Sequence, residues 1–163
     1  MVNLTLEDKY EISATYSIYA RAIDEKRYDL LDQVFLADAS LEYEVGPHQF
    51  SCKGSESASY FATFLKYCYW TNHLIAAPMI EHQEKVFSTA RVIATHLQKD
   101  LKGETHRWTL RGSYHDHFTK TDAGWRIAKR ICLCPDSEGE FNSDEVRIFE
   151  GLAWAESAQV NGQ

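Results

Sequence analysis

Residues 104–134 read ETHRWTLRGSYHDHFTKTDAGWRIAKRICLC, two strand-like runs on either side of a short polar turn at residues 121–124. Side chains on a strand alternate between its two faces. The even-numbered residues of the first run are mostly apolar, so we predict that they face the core. They are His106, Trp108, Leu110, Gly112, Tyr114, Asp116 and Phe118, which leaves His115 and His117 on the outer face.

Asp116 is the only carboxylate on this apolar face. Burying a charge is costly unless a partner of opposite sign accompanies it. Arg130, on the second run, is the basic residue that we expect to pair with Asp116. We favour a structural role for this pair, and Asp116 is also a candidate for contact with a substrate.

Two further strand-like runs precede this hairpin, at residues 71–82 and 85–98. In the later run, His96 shares a face with small residues (Ala90, Val92 and Ala94), which leave room beside it. In the earlier run, His73 shares a face with Ile75 and Ala77. The alternation therefore predicts two histidines on inward-looking faces of neighbouring strands.

Before residue 70 the apolar spacing is mainly helical, with steps of three and four residues. A first helix is predicted from a capping-box-like start at Thr5 to about Asp24, and a shorter one over residues 26–39. SLEYEV, residues 40–45, alternates like a strand and ends at Gly46-Pro47. Further helices are predicted over residues 55–68, capped by Ser55, and over about 143–156, capped by Ser143.

Helices followed by an antiparallel meander indicate an α+β fold. The length of 163 residues favours one domain, here spanning 1–163, with a core over about 5–135 and the last helix closing it. A formal charge of −7 disfavours nucleic acid and anionic membranes as partners. We found no long apolar run and no secretory signal, so the expected location is cytoplasmic.

Metal binding is not expected. Cys132 and Cys134 form a C-x-C on one strand face without a second pair, and they are predicted to be reduced and packed. His115 and His117 lack a third ligand at useful spacing. No cofactor motif is visible.

Four stretches together resemble the SnoaL-like and scytalone dehydratase-like branch of the nuclear transport factor 2-like superfamily. They are YARAIDEKRYDLLDQVFLADASLEY (19–43), TNHLI (71–75), GSYHDHFTKTDAGWRIAKR (112–130) and FNSDEVRIFEGLAWAES (141–157). The resemblance implies a cone-shaped α+β barrel, in which a curved, mainly antiparallel sheet wraps around the N-terminal helices. It also implies a C-terminal helix over the pocket and a homodimer or homotrimer.

By the same resemblance, an Asp at the end of the first helix faces a pocket His, and this pair falls on Asp24 and His73. His73 is then the base and Asp24 its orienting partner. Tyr19 and Tyr43 are hydrogen-bond donors or walls, and His96 is a candidate proton donor to a leaving group. Trp108, Tyr114 and Asp116 complete the expected substrate contacts.

The sequence departs from scytalone dehydratase at three of the matched positions, so scytalone itself is not the expected substrate. Ile23 stands where that enzyme has a tyrosine before the aspartate. Asp116 and Phe118 replace its Ser and Asn, and its second catalytic histidine has no clear counterpart.

The function expected from this set is a cofactor-independent lyase or isomerase, chiefly a dehydratase, acting on a small hydrophobic oxygenated ring compound. The alternative is a non-catalytic ligand-binding or oligomerisation module, such as an oxygenase small-subunit-like partner. A hydrolase using Asp116 and Arg130 is a third reading. Asp24 as the cap of a turn and His73 as a hydrogen-bonded core residue are the structural alternatives.

Overall fold

The computed structural model describes residues 3–149 and has one seven-stranded sheet and two α-helices. The strands follow the order β2-β1-β7-β6-β5-β3, and β4 also pairs with β5. All pairs are antiparallel except β1 with β7, which is parallel. The bounds are β1 Phe35–Val45, β2 His48–Lys53, β3 Trp70–Ile75, β4 Met79–His82, β5 Val86–Lys99, β6 Thr105–Thr121 and β7 Gly124–Gly139.

The helices are α1, Leu6–Asp24, and α2, Ser57–Leu65, with short 3-10 helices at Tyr28–Gln33 and Gly54–Glu56. The sheet is curved and does not close on itself. The predicted α+β class and its mainly antiparallel sheet are confirmed.

The hairpin of β6 and β7 forms the centre of the sheet. Gly124 closes its turn with a φ of +100°, a backbone conformation that glycine adopts without strain. Further along, the register shifts between Arg111 and Ser113. A Cβ on Gly112 would lie 2.0 Å from the Leu133 carbonyl oxygen, so only glycine fits this irregularity. Such irregularities bend a strand and increase its twist.

The first helix begins as predicted, with a capping box between Thr5 and Asp8. Asp8 also accepts hydrogen bonds from Lys120 Nζ at 2.7 Å and Trp125 Nε1 at 2.9 Å, at the end of the hairpin. The helix buries one side, including Ile12, Tyr16, Tyr19 and Ile23. Asp24 is its last residue. The N-terminus of α1 is therefore fixed to the hairpin, and its C-terminus reaches β3.

Before residue 70, one predicted helix and one predicted cap were wrong. The region 26–39 contains only the 3-10 helix Tyr28–Gln33, because β1 already begins at Phe35 and pairs with β7. Leu31, Val34 and Phe35 are buried, and the pairing of the sheet outweighs local helical spacing. Ser55 does not cap α2, because the chain before that helix is a 3-10 turn. Instead, the Ser57 hydroxyl donates to the Gly54 carbonyl at 2.7 Å.

The strand predictions needed three corrections. β2 was not predicted, and the run 71–82 is two strands separated by residues 76–78. His106 is exposed, although the alternation placed it in the core. It lies near the start of β6, beyond the core, and its Nε2 lies 3.1 Å from an Asp100 carboxylate oxygen.

Ser143 does not begin a helix. Residues 143–149 form bends and a single β-bridge between Asp100 and Val146, and the Phe149 backbone N–H donates to Lys66 O. The rest of the predicted helix, including Trp154, lies outside the described residues.

In the described part of the chain, neither α-helix has the length and apolar character that crossing a bilayer requires.

Candidate functional site

Asp24 projects from the end of α1 onto β3, where its carboxylate is held by three contacts. Thr71 Oγ1 donates to Oδ1 at 2.9 Å, and the His73 backbone N–H donates to Oδ2 at 2.8 Å. His73 Nδ1 lies 2.7 Å from Oδ1. Burial raises the pKa of Asp24, but the hydrogen bonds and charge of His73, with Thr71, lower it overall. Asp24 is therefore a carboxylate at neutral pH.

His73 is directed by this carboxylate. Its side chain is only 7% exposed. An Asp that accepts from Nδ1–H fixes the tautomer of a neutral imidazole and leaves Nε2 with its lone pair. The ring lines an apolar chamber, with its centroid 6.1 Å from that of Tyr19 and 5.7 Å from that of His96.

The chamber lies between the concave face of the sheet, α1 and α2. Four groups of side chains form its wall: aromatic residues, aliphatic residues, two histidines and two cysteines. They are Tyr19, Ile23, Tyr43, Val45, Phe50, Phe61, Phe64, Leu65, His73, Ala94, His96, Trp108, Leu110, Tyr114, Cys132 and Cys134. The two thiols are buried, with their sulfurs 3.7 Å apart.

The free volume inside the chamber is about 40 Å³, which is room for a water molecule or two. Sites for small-molecule ligands usually measure about 300–1,000 Å³. A ring compound therefore requires wall residues to move. Phe64 also borders a groove of about 850 Å³ on the outer side and stacks on Phe141 at a centroid distance of 4.3 Å. Phe64 thus separates the chamber from the groove.

Two tyrosine hydroxyls meet in the chamber, Tyr19 and Tyr43, with their oxygens 3.3 Å apart. Burial raises the pKa of Tyr19 to about 12 and that of Tyr43 well above its usual value. Both hydroxyls consequently keep their protons at neutral pH and can donate hydrogen bonds to a ligand.

His96 is buried on the inward face of β5, beside Ala94. Burial, reinforced by the nearby His73, lowers its pKa to about 3. Its ring is therefore neutral at physiological pH. This argues against the predicted role as proton donor to a leaving group, which needs an imidazolium.

Asp116 does not line the chamber. Both of its oxygens accept from Arg130, Nε at 2.9 Å and Nη2 at 2.7 Å, and neither side chain is exposed. The Arg130 guanidinium stacks on the rings of Tyr114 and Tyr19, with distances of 4.1 and 4.3 Å to their centroids. The predicted ion pair is present beneath the chamber wall. With both oxygens bonded and no exposed surface, Asp116 is placed neither to contact a substrate nor to position water for hydrolysis.

Of the residues predicted for the site, six line the chamber: Tyr19, Tyr43, His73, His96, Trp108 and Tyr114. Asp24 lies behind His73. Sequence reasoning missed Thr71, whose position two residues before His73 on the same strand face was a usable signal. It also missed the contribution of α2, since Phe61 and Phe64 reach the chamber only through tertiary packing.

One cluster of described residues has the spacing of metal ligands. Asp100, Glu104 and His106 bring their ligand atoms within 4.8 Å of one another at the surface connection between β5 and β6. Asp100 already accepts from the backbone N–H groups of Lys102 and Glu104. These hydrogen bonds stabilise the turn, and they explain why the three side chains lie close together without a metal role.

Several known proteins are similar to this chain. An uncharacterized protein of Mycobacterium tuberculosis is 28% identical over 136 residues, covering 77% of this chain and 84% of the relative. The hexachlorocyclohexane dehydrochlorinase LinA-type3 of Novosphingobium barchaimii superimposes with a TM-score of 0.68 at 17% identity, covering 83% of this chain and 91% of that structure.

A nuclear transport factor 2-like superfamily protein of Salmonella enterica superimposes with a TM-score of 0.63 at 21% identity, covering 87% and 99% of the two chains. These solved structures share the fold. The sequence pattern of the SnoaL-like domain matches residues 4–131, most of the chain. The predicted resemblance is thereby confirmed, and the protein belongs to the SnoaL-like domain family, with a nuclear transport factor 2-like fold.

Proposed function

We propose that the protein is a cofactor-independent lyase or isomerase, most simply a dehydratase, acting on a small hydrophobic oxygenated ring compound. The observation that carries this proposal is the 2.7 Å contact between His73 Nδ1 and Asp24 Oδ1 at the wall of an apolar chamber. The dehydrochlorinase that shares the fold is named for an elimination reaction, which is the same class of chemistry.

His73 is the base. Its Nε2 removes a proton from a carbon next to a carbonyl, and the C–H electrons form an enolate. The enolate electrons then form the new C=C bond as the C–O bond on the neighbouring carbon breaks, and the His73 imidazolium returns its proton to the departing hydroxide, which leaves as water. Asp24 stabilises the imidazolium through Nδ1–H. A positioned base of this kind typically contributes about a hundred- to ten-thousand-fold in rate.

Tyr19 and Tyr43 act as donors to the enolate oxygen. Their hydroxyls are protonated and enclosed among apolar side chains. Hydrogen bonds aimed at developing charge are stronger in such surroundings than in water. Displacement of Phe64 toward the outer groove admits the ring, since this side chain borders both spaces.

Proton abstraction can be tested without the natural substrate. In D₂O, the wild-type protein should exchange the α-protons of a cyclic ketone such as 2-tetralone, followed by NMR. It should also convert 3-hydroxycyclohexanone to cyclohexenone, followed by ultraviolet absorbance. His73→Asn and Asp24→Asn should each lower both rates at least about 100-fold.

His82→Asn is the matched control, because His82 is a histidine outside the chamber, and it should retain the wild-type rates. If the two site variants match the wild type while all proteins remain folded by circular dichroism, the base assignment fails. No exchange or elimination by the wild-type protein with any cyclic ketone would favour the non-catalytic binding module instead.

A further inference from the structure

The Nδ1 atom of His96 has no hydrogen-bond partner within residues 3–149, although it is fully enclosed. Buried polar atoms are nearly always paired, so such an atom requires an explanation. Other described side chains also have unpaired buried atoms, on Glu11, Tyr28 and Arg130. Those three residues do not line the chamber, whereas His96 does.

The position of His96 relative to His73 indicates that this nitrogen can contact a ligand in the chamber. The two ring centroids are 5.7 Å apart, and the rings are nearly perpendicular. His73 uses Nδ1 to bind Asp24. The pair therefore presents two imidazoles to one small apolar space, and only His73 is held by a carboxylate.

The neighbours of His96 favour a neutral contact. The rings nearest to it are those of Trp108, with a centroid 5.0 Å away, and His73, and Ala94 lies two residues before it on the same face of β5. Burial and His73 lower the pKa of His96, and they outweigh the Trp108 backbone and, through space behind His73, Asp24, which favour the charged ring. A neutral imidazole nitrogen can accept from a hydroxyl or, in the other tautomer, donate to it. A hydroxyl group satisfies either tautomer, because it both donates and accepts.

We propose that His96 Nδ1 binds a hydroxyl group of the ligand, and that this contact selects hydroxylated rings over rings with an apolar substituent of similar size. This inference rests on the proposed function for the identity of the chamber as the substrate site. It adds a specificity-determining residue and narrows the substrate to a cyclic hydroxy compound. The hydroxyl lies at His96 while the carbon to be deprotonated faces His73.

Phenol and fluorobenzene are suitable probes, because they share a ring and differ in a hydroxyl group. We expect wild-type protein to bind phenol about tenfold more tightly than fluorobenzene, measured by NMR titration. Phenol should also shift the ¹⁵N resonance of His96 Nδ1 in long-range ¹H–¹⁵N spectra. His96→Leu should remove the tenfold preference, and His96→Gln, which keeps polar atoms at this place, should restore part of it.

An equal preference in wild type and His96→Leu, or an unmoved His96 resonance in the phenol complex, would overturn the inference. So would failure of both probes to bind the wild-type protein at millimolar concentration. If His96→Leu does not fold, His96→Gln and the wild-type resonance decide. His73→Asn should keep the preference for phenol. In the wild-type protein, a preference for phenol without turnover of any ketone refutes the lyase proposal alone, and turnover without the preference refutes this inference alone.

Discussion

The buried neutral His96 makes the stability of the protein depend on pH in a way that one substitution should remove. In the unfolded chain, this histidine takes up a proton below a pKa of about 6.5, whereas in the folded protein its pKa is about 3. Between these values the unfolded state binds one more proton than the folded state. The folded state therefore loses stability as the pH falls through this window.

The magnitude follows from the difference in protonation. Each pH unit well inside the window corresponds to about 1.4 kcal/mol for one proton. The unfolded histidine is only partly protonated near pH 6.5, so lowering the pH from 7.0 to 4.5 should cost about 2–3 kcal/mol. Asp24 adds little to the pH dependence of stability in this range. Its pKa in the folded protein lies below the unfolded value of 3.8, so the stability that it contributes is present above pH 3.8 and is lost only as the pH falls below it. We therefore assign the slope from this site above pH 4.5 to His96.

Urea denaturation at pH 7.0, 6.0, 5.0 and 4.5 measures the effect. The free energy of unfolding of His96→Leu and of His96→Gln should fall by about 2–3 kcal/mol less than that of the wild type over this range. Comparing slopes removes any difference in stability at neutral pH and any contribution from other groups. Parallel slopes for wild type and both variants would refute the assignment of a depressed pKa to this buried ring.

Three further substitutions test the framework around the chamber. Arg130→Met leaves the Asp116 carboxylate buried without its partner and should cost about 3–5 kcal/mol in urea unfolding, whereas adding Asp116→Leu should recover most of it; a loss below 1 kcal/mol for the single variant would contradict this. Gly112→Ala forces a methyl group toward the Leu133 carbonyl oxygen and should cost about 1–3 kcal/mol, seen as a lower melting temperature; an unchanged temperature would mean that the strands shift freely. Thr5→Ala removes the capping box of α1 and should cost about 1 kcal/mol, with Ser13→Ala, exposed on the same helix, as control; equal effects would refute a capping role.

The hairpin and the inward face of β5 could be predicted because their pattern and their environment agree. Alternation on β6 placed Trp108, Tyr114 and Phe118 inside, and all three are buried. The same rule failed for His106, because alternation continues along a strand after the core has ended. A local pattern does not mark where the opposite layer stops.

The start of β1 could not be read from local spacing. Residues around Phe35 fit a helical period, but their partners on β7 lie far along the chain, and long-range pairing decided the structure. Local pattern also limited how much of the site could be predicted from the sequence. Two histidines on inward faces followed from alternation, but the convergence of Asp24 on His73 came from resemblance to a family. Phe64 and the small size of the chamber depend on how α2 packs, which no sequence period encodes.

The first helix is attached at both ends, by Asp8 to the hairpin and by Asp24 to β3. The helix therefore fixes the distance along its axis between Asp8 and Asp24 at about 24 Å, from a rise of 1.5 Å per residue. Deleting one residue from its middle would shorten that span by one rise and turn the two carboxylates by about 100° relative to each other. The contacts of Asp8 with the hairpin and of Asp24 with β3 could not then form together. Natural variation in this protein should therefore change the surface of the helix freely, but not its length.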